Sequence, residues 1–275
     1  MVVCSERNTD YVRPKVHEVC YRLTRGRSDG VIANSHAGKA FVVRTLGLRD
    51  EDVFVVPNGV DGERFCPGDG SGFRREMGIG ADDPVVGMVA SFKRQKNHGM
   101  FFEVAERVWG RFERAWFVCV GEPLRDNVQG AEDYHREVRE KLATMAVRER
   151  VLMPGSRDDI EAVYRACDVT VLTSRHEGTP NVLLESMASE VPVVATDVSD
   201  NAKVVTDGET GFVVGLDDAE AMAYRVCALL GDEALRGRMG RCGRERVLRE
   251  YSPEEMARRT GEVYEELLRR RGEAL

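Results

Sequence analysis

Asp168-Val169-Thr170-Val171-Leu172-Thr173, followed by Ser174-Arg175-His176-Glu177-Gly178-Thr179-Pro180-Asn181-Val182-Leu183-Leu184-Glu185, is the stretch whose reading decides the fold. The first six residues form a short apolar, β-branched run, the pattern of a buried parallel strand. Gly178 permits a close or left-handed turn, Thr179 is a good N-cap, and Pro180 suits the first helical position. Val182, Leu183, Leu184, Met187 and Ala188 then continue a helix. The prediction is strand, tight turn, helix.

A helix that begins just past the carboxyl end of a parallel strand points several main-chain N–H groups into a crevice. Its dipole favours an anion there. Two carboxylates flank this spot: Glu177 precedes the turn, and Glu185 lies about 7–8 Å further along the helix at about 1.5 Å per residue. Carboxylates repel phosphate, so hydroxyl groups are their natural ligands. A diphosphate at the helix start, with a sugar on one side and a ribose on the other, satisfies all three features. That is the shape of a nucleotide-sugar.

Outside this stretch, the strand–helix unit repeats. Short apolar runs at residues 30–33, 53–56, 85–90, 116–120, 151–153, 192–195 and 211–214 alternate with helical segments, predicting parallel, doubly wound sheets with a ligand at their carboxyl ends. Helices are expected over 15–26, 36–46, 97–110, 134–147, 158–166, 217–230, 233–249 and 253–270. Ser252, Pro253 and Glu255 open the last of these as a capping box.

The chain has 275 residues, formal charge −7 and 42% hydrophobic residues, enough for one large or two ordinary domains. The mild acidity gives no reason to expect nucleic acid. Seven cysteines is an odd number with no C-x-x-C or zinc-ligand spacing, so structural thiols of a reducing compartment are expected. No signal-peptide core is visible near Met1, and no apolar run approaches the roughly 20 residues of a membrane span.

The ordered segments VGMVASFKRQKNH, FVCVGE, RVLMPGSRDDIEAVYRACDVTVLTSRHEGTPNVLLESMAS, VPVVATDV and DGETGFVV resemble retaining glycosyltransferases of family 4, which have the GT-B fold. EGTPNVLLE is similar to that family's Glu, seven residues, Glu signature. The resemblance implies an α/β chain with a complete C-terminal Rossmann-like domain and an incomplete N-terminal one. Residues 1–61 correspond to a remnant of the N-terminal, acceptor-side domain. A linker follows at 62–83, then the nucleotide-sugar-binding domain at 84–251 and a crossover helix at 252–275. A segment of about 60 residues buries only about 60% of its unfolded surface and is marginal alone. The first segment is therefore expected to lean on the second domain, the terminal helix or a partner chain.

The implied reaction is hexose transfer from a nucleoside diphosphate sugar, without metal or other cofactor, to an acceptor that is lipid-linked or a saccharide. The alternative is a catalytically incomplete donor-binding module that needs a partner. A glycosidase reading of the two glutamates leaves the phosphate-type helix start unexplained. The implied setting is the cytoplasm, or the inner face of its membrane, in polysaccharide or glycoconjugate synthesis.

In the family an Arg and a Lys five residues apart hold the diphosphate. Lys96 matches the Lys, while the Arg position is Ser91, so Lys93 or Arg94 is the expected second cation. Glu177 resembles the carboxylate facing the transferred sugar and Glu185 the one facing the ribose. Main-chain groups of Gly178, Thr179, Pro180, Asn181 and Val182 are expected at the phosphates, and Arg157 at the base or ribose. Catalysis is expected of Glu177 and Lys96. Two departures stand out. Glu190 occupies a usual Gly position after the motif helix, where a left-handed C-cap would cost roughly 1 kcal/mol. Ser199 and Asp200 replace a usual Gly-Gly.

Overall fold

The computed structural model describes residues 1–7, 16, 19, 20, 23, 25–122 and 131–272. The helix expected over 15–26 falls largely outside the described residues, as does the stretch 123–130. Elsewhere the alternating pattern becomes two parallel sheets. The smaller holds β1 (Val3–Glu6), β2 (Gly30–Ala33) and β3 (Val53–Val55) in that order. Helix α1 (His36–Leu46) packs on it through Phe41, Val42 and Leu46. Its N-cap Ser35 accepts the Gly38 N–H at 2.9 Å, and left-handed Gly47 ends it, as P-rich and G-rich punctuation of helices requires only at its ends.

The larger sheet contains six parallel strands in the order β6-β5-β4-β7-β8-β9: β4 (Val85–Val89), β5 (Trp116–Val120), β6 (Val151–Gly155), β7 (Val169–Leu172), β8 (Val193–Thr196) and β9 (Gly211–Val214). Chain order therefore reverses between β4 and β7, the switch point beside which doubly wound sheets bind ligands. Both faces are covered, which explains why the strands read as continuous apolar runs. One face carries α3 (His98–Trp109), α4 (Ala131–Ala143) and α8 (Ala219–Gly231), with Phe101, Phe102, Phe117 and Met222 buried between them. The other carries α5 (Ile160–Ala166) and α6 (Asn181–Ala188), on which α9 (Glu233–Glu250) packs.

Residues 62–83, expected to be a linker, are built into the larger unit. They form the short helix α2 (Ser71–Glu76) and bury Phe65 and Phe73 in its core. Another short helix, α7 (Asn201–Val204), follows β8. The terminal helix α10 (Pro253–Arg271) starts on the predicted cap, Ser252 Oγ accepting the Glu255 N–H at 3.1 Å. It crosses to the small sheet, where Val263 and Leu267 pack with Val56, Phe54 and Ile32. The Arg-rich end is not simply solvated: Arg270 lies 3.6 Å from Asp52 and Arg271 3.4 Å from Asp29. The first segment thus leans on this chain's own last helix. Among the described residues, no helix is long and apolar enough to cross a membrane.

Candidate active site

A cleft of about 440 Å³ opens at the carboxyl ends of β4, β5 and β6, within the size range of small-molecule sites. Its lining includes Ser91 and Lys96 after β4, Gly121 and Glu122 after β5, Arg157 after β6, and Val182 on α6. Gly121 is dictated by packing: a Cβ there would meet the Ala90 carbonyl oxygen at 2.0 Å, and its φ is +154°. Only glycine lets the ends of β4 and β5 approach so closely at the cleft floor.

Lys96 and Glu177, 81 residues apart, meet at the switch point. The ammonium donates to Glu177 Oε1 at 2.5 Å, with the two side chains 15% and 7% exposed. Lys96 follows β4 and Glu177 follows β7, adjacent strands whose loops face each other. The loops are tied at further points: Thr173 Oγ1 donates to the Lys96 carbonyl at 2.8 Å, and Arg175 N–H to the Gln95 carbonyl at 2.8 Å. Asn97, Ser199 and Asp217 all hold left-handed backbones here, with φ of 53°, 53° and 59°. Asn97 Nδ2 donates to Asp217 at 2.9 Å, and Ser199 Oγ accepts the Glu177 N–H at 2.9 Å. Such conformations persist only where surrounding bonds over-determine them, and they gather at ligand clamps.

The turn into α6 differs in detail from the sequence reading. Pro180, not Thr179, occupies the N-cap, and no side chain of that residue caps the helix. The Thr179 hydroxyl instead donates to the carbonyl of Asn34 in the first segment. Gly178 is needed for close approach and not for a left-handed turn, since a Cβ would lie 2.8 Å from Asn34 Oδ1. Asn58 Nδ2 donates to Asn181 Oδ1 at 2.8 Å and to the Thr179 carbonyl at 3.2 Å. The Asn-Gly of the first segment therefore holds the phosphate-type turn from outside. Beside it, the buried Asp200 carboxylate accepts the His36 and Ala37 N–H groups at 2.6 and 3.0 Å. This places a negative charge on the amino end of α1, where the helix dipole stabilises it.

Glu185 faces away from Lys96 toward α5. Its Oε2 accepts the Tyr164 hydroxyl at 2.8 Å. Burial pushes the carboxyl above its ordinary range, while the Tyr164 bond and the nearby Arg64 charge pull it down. Val182, one turn earlier on α6, lines the cleft. Residues three apart share a helix face.

The remaining candidates are arranged differently. Arg157 lines the cleft, yet its guanidinium forks onto Glu76 at 2.7 and 2.9 Å and onto Asp159 at 2.7 and 2.9 Å. It also covers the Phe73 ring at 5.1 Å. These bonds brace α2 against the β6–α5 loop while Arg157 keeps its place in the cleft lining. Arg94 turns to Glu137 at 2.6 Å and the Tyr134 ring at 5.2 Å, and lines a separate 490 Å³ pocket with Lys141 and Arg175. Lys93 bends back through its N–H to the Ser91 carbonyl at 2.8 Å. Neither lines the cleft that holds Lys96. Sequence reasoning missed Tyr164 and Asn34, and it marked Asp200 only as a departure from a usual Gly-Gly. No local signal marks their contacts, because their partners lie 21, 145 and 164 residues away.

The family model described as Glycosyl transferases group 1 matches residues 83–232, more than half of the chain. The chain belongs to the group 1 glycosyl transferases. It is 29% identical over 252 residues to the lipopolysaccharide core biosynthesis mannosyltransferase LpsB of Rhizobium meliloti, covering 88% of this chain and 67% of that protein. It is 32% identical over 249 residues to the alpha-maltose-1-phosphate synthase of Mycolicibacterium smegmatis, covering 86% of this chain and 63% of that one. The crystal structure of Anabaena HepE in complex with UDP and glucose superposes with a TM-score of 0.86 at 22% identity, covering 96% of this chain and 71% of HepE. The chain thus spans about two thirds of the length of these relatives. The fold of this group 1 member is GT-B, with a six-stranded Rossmann-like sheet beside a three-stranded one.

Proposed function

We propose that this chain is a retaining glycosyltransferase, or the donor-binding part of one, that moves a hexose from a nucleoside diphosphate sugar to an acceptor hydroxyl. The observation that carries the reading is the Lys96–Glu177 pair, held at the switch point of a doubly wound sheet beside an open cleft. The base and ribose would occupy the cleft between Gly121, Ser156 and Val182. The diphosphate would lie between Lys96 and the N–H groups at the start of α6, with the Lys96 ammonium turning from Glu177 toward it. Glu177 would then accept hydroxyls of the hexose, and Glu185 those of the ribose.

In the transition state, charge builds on the departing diphosphate. A preformed cation and fixed N–H dipoles are worth most there, because they need no reorganisation. In this reading the acceptor attacks from the face the diphosphate leaves, and a donor phosphate oxygen takes its proton. No metal or cofactor enters the proposal. The name of LpsB, a lipopolysaccharide core biosynthesis mannosyltransferase, favours a glycoconjugate acceptor, lipid-linked or saccharide.

A second reading, a donor-binding module that works only with a partner chain, is favoured by the small sheet. Among the described residues, β1 pairs with β2 alone, leaving an open edge. Titration of the purified chain with UDP, GDP and ADP tests the donor site: binding at micromolar to sub-millimolar levels is expected, and none at millimolar nucleotide would overturn both readings. Donor hydrolysis or transfer by the chain alone then selects the first reading over the second.

A further inference from the structure

Behind the cleft wall, α5 and α6 present matched pairs. Ile160 and Val182 face the cleft, and one turn further along each helix Tyr164 and Glu185 meet. Tyr164 is 1% exposed and fixed at its ring, with Phe65 packed edge-on at 5.9 Å. Its hydroxyl therefore has a single place to be. A phenol donates one hydrogen, so it engages Oε2 only, leaving Oε1 of Glu185 to accept from another donor. Among the described residues, no second hydrogen bond holds this carboxylate. Arg64, whose charge reaches Glu185, is itself held by Glu161 at 3.0 Å.

We infer that Tyr164 is a positioning residue for nucleotide recognition: its buried hydroxyl locks one oxygen of Glu185 so that the other is aimed at the ribose hydroxyls of the donor. The inference rests on the ribose role proposed for Glu185. Two effects follow from losing the hydroxyl. The carboxylate regains rotameric freedom, and a bond that favours its charged form disappears, so it takes up a proton more readily. Both weaken acceptance of hydrogen bonds from a ribose without touching the phosphate end of the site.

The experiment is calorimetric titration of wild type, Tyr164→Phe and Glu185→Gln with UDP and with 2′,3′-dideoxy-UDP, from pH 5.5 to 8. Tyr164→Phe removes one oxygen and keeps the ring on Phe65; its dideoxy-UDP affinity is the internal check that the site is intact. Wild type is expected to prefer UDP about tenfold or more. Glu185→Gln should shrink that preference sharply. Tyr164→Phe should cut it at least threefold with dideoxy-UDP affinity unchanged within twofold, and its loss of UDP affinity on acidification should begin at higher pH. If wild type prefers UDP but Tyr164→Phe preserves the preference and the pH profile, or weakens both ligands equally, the positioning role is overturned alone. If wild type binds UDP and dideoxy-UDP equally, the ribose role of Glu185 falls and takes this inference with it.

Discussion

Lys96 and Glu177 each depend on the other. Both are largely withdrawn from water, so removing either leaves the other with reduced solvation and without this ion pair. Lys96→Ala is expected to weaken UDP binding by roughly 10- to 100-fold, from the loss of one charge-assisted bond of about 1.5–3 kcal/mol. Uridine, which has no phosphate, should bind the variant and the wild type alike. Equal losses for UDP and uridine would mean that Lys96 maintains the loop and does not meet the diphosphate. Glu185 supplies a prediction of opposite sign. Its carboxyl is raised by burial, so the native state holds a proton more tightly than the unfolded chain, and the resulting stability is lost as pH rises past the ordinary glutamate range. Glu185→Gln removes this penalty at neutral pH. It should raise Tm by about 1–3 °C while impairing nucleotide binding, as a differential scanning measurement with and without UDP would show.

At the scale of elements, α6 is short and set by its ends. Glu190, just past its last turn, holds a φ of 59° that glycine adopts freely. Glu190→Gly is therefore expected to stabilise the chain by up to about 1 kcal/mol, the left-handed strain outweighing the entropy glycine adds to the unfolded state. The same spot explains Gly240 on α9: a Cβ there would lie 2.0 Å from the Glu190 carbonyl oxygen. Gly240→Ala should push α9 off α6 and lower the urea midpoint, whereas Gly237→Ala, whose half-buried Cβ would meet only the end of the Arg241 side chain at 3.3 Å, should not. These features also show what the sequence could reveal. Runs such as Val169–Leu172, the Ser252 cap and the Glu177-to-Glu185 spacing carry information within a few residues of themselves, and each element appears where that local pattern places it. The left-handed bend at Glu190 matches what the resemblance implies, since Glu190 stands at a usual Gly position. Capture of Arg157 by Glu76, of Thr179 by Asn34 and of Glu185 by Tyr164 depends on how distant elements dock. No local periodicity encodes such contacts.

Across the whole molecule, acid stability is governed by groups kept neutral or charged by burial. His98 opens α3 with its ring fully enclosed, stacked on Phe92 at 4.3 Å, and burial lowers its pKa to about 4. The unfolded chain takes up a proton near 6.5 and the native chain does not, so stability falls as pH drops from 6.5 toward 4. The drop reaches roughly 3 kcal/mol for this one group, at about 1.4 kcal/mol per pH unit. Urea unfolding at pH 7, 5.5 and 4.5 should trace it. Tightly packed replacement by Leu should flatten that slope even if it lowers stability at pH 7. A second molecule-wide effect concerns α10, which carries Leu267 into the small sheet. Leu267→Ala is expected to destabilise by about 2–5 kcal/mol, with limited proteolysis cutting first among residues 1–56 and sparing the six-stranded domain.

Asp200 carries a consequence for hinge motion. Its carboxylate holds the His36 and Ala37 N–H groups and the Thr179 hydroxyl holds the Asn34 carbonyl, while the Asn58 amide reaches the other way to the Thr179 carbonyl and the Asn181 side chain. A hinge opening between the two sheets would have to unseat a carboxylate from a helix end and release the turn in one motion. Five neighbouring hydrogen bonds would break together, so separation of the sheets should be all-or-none.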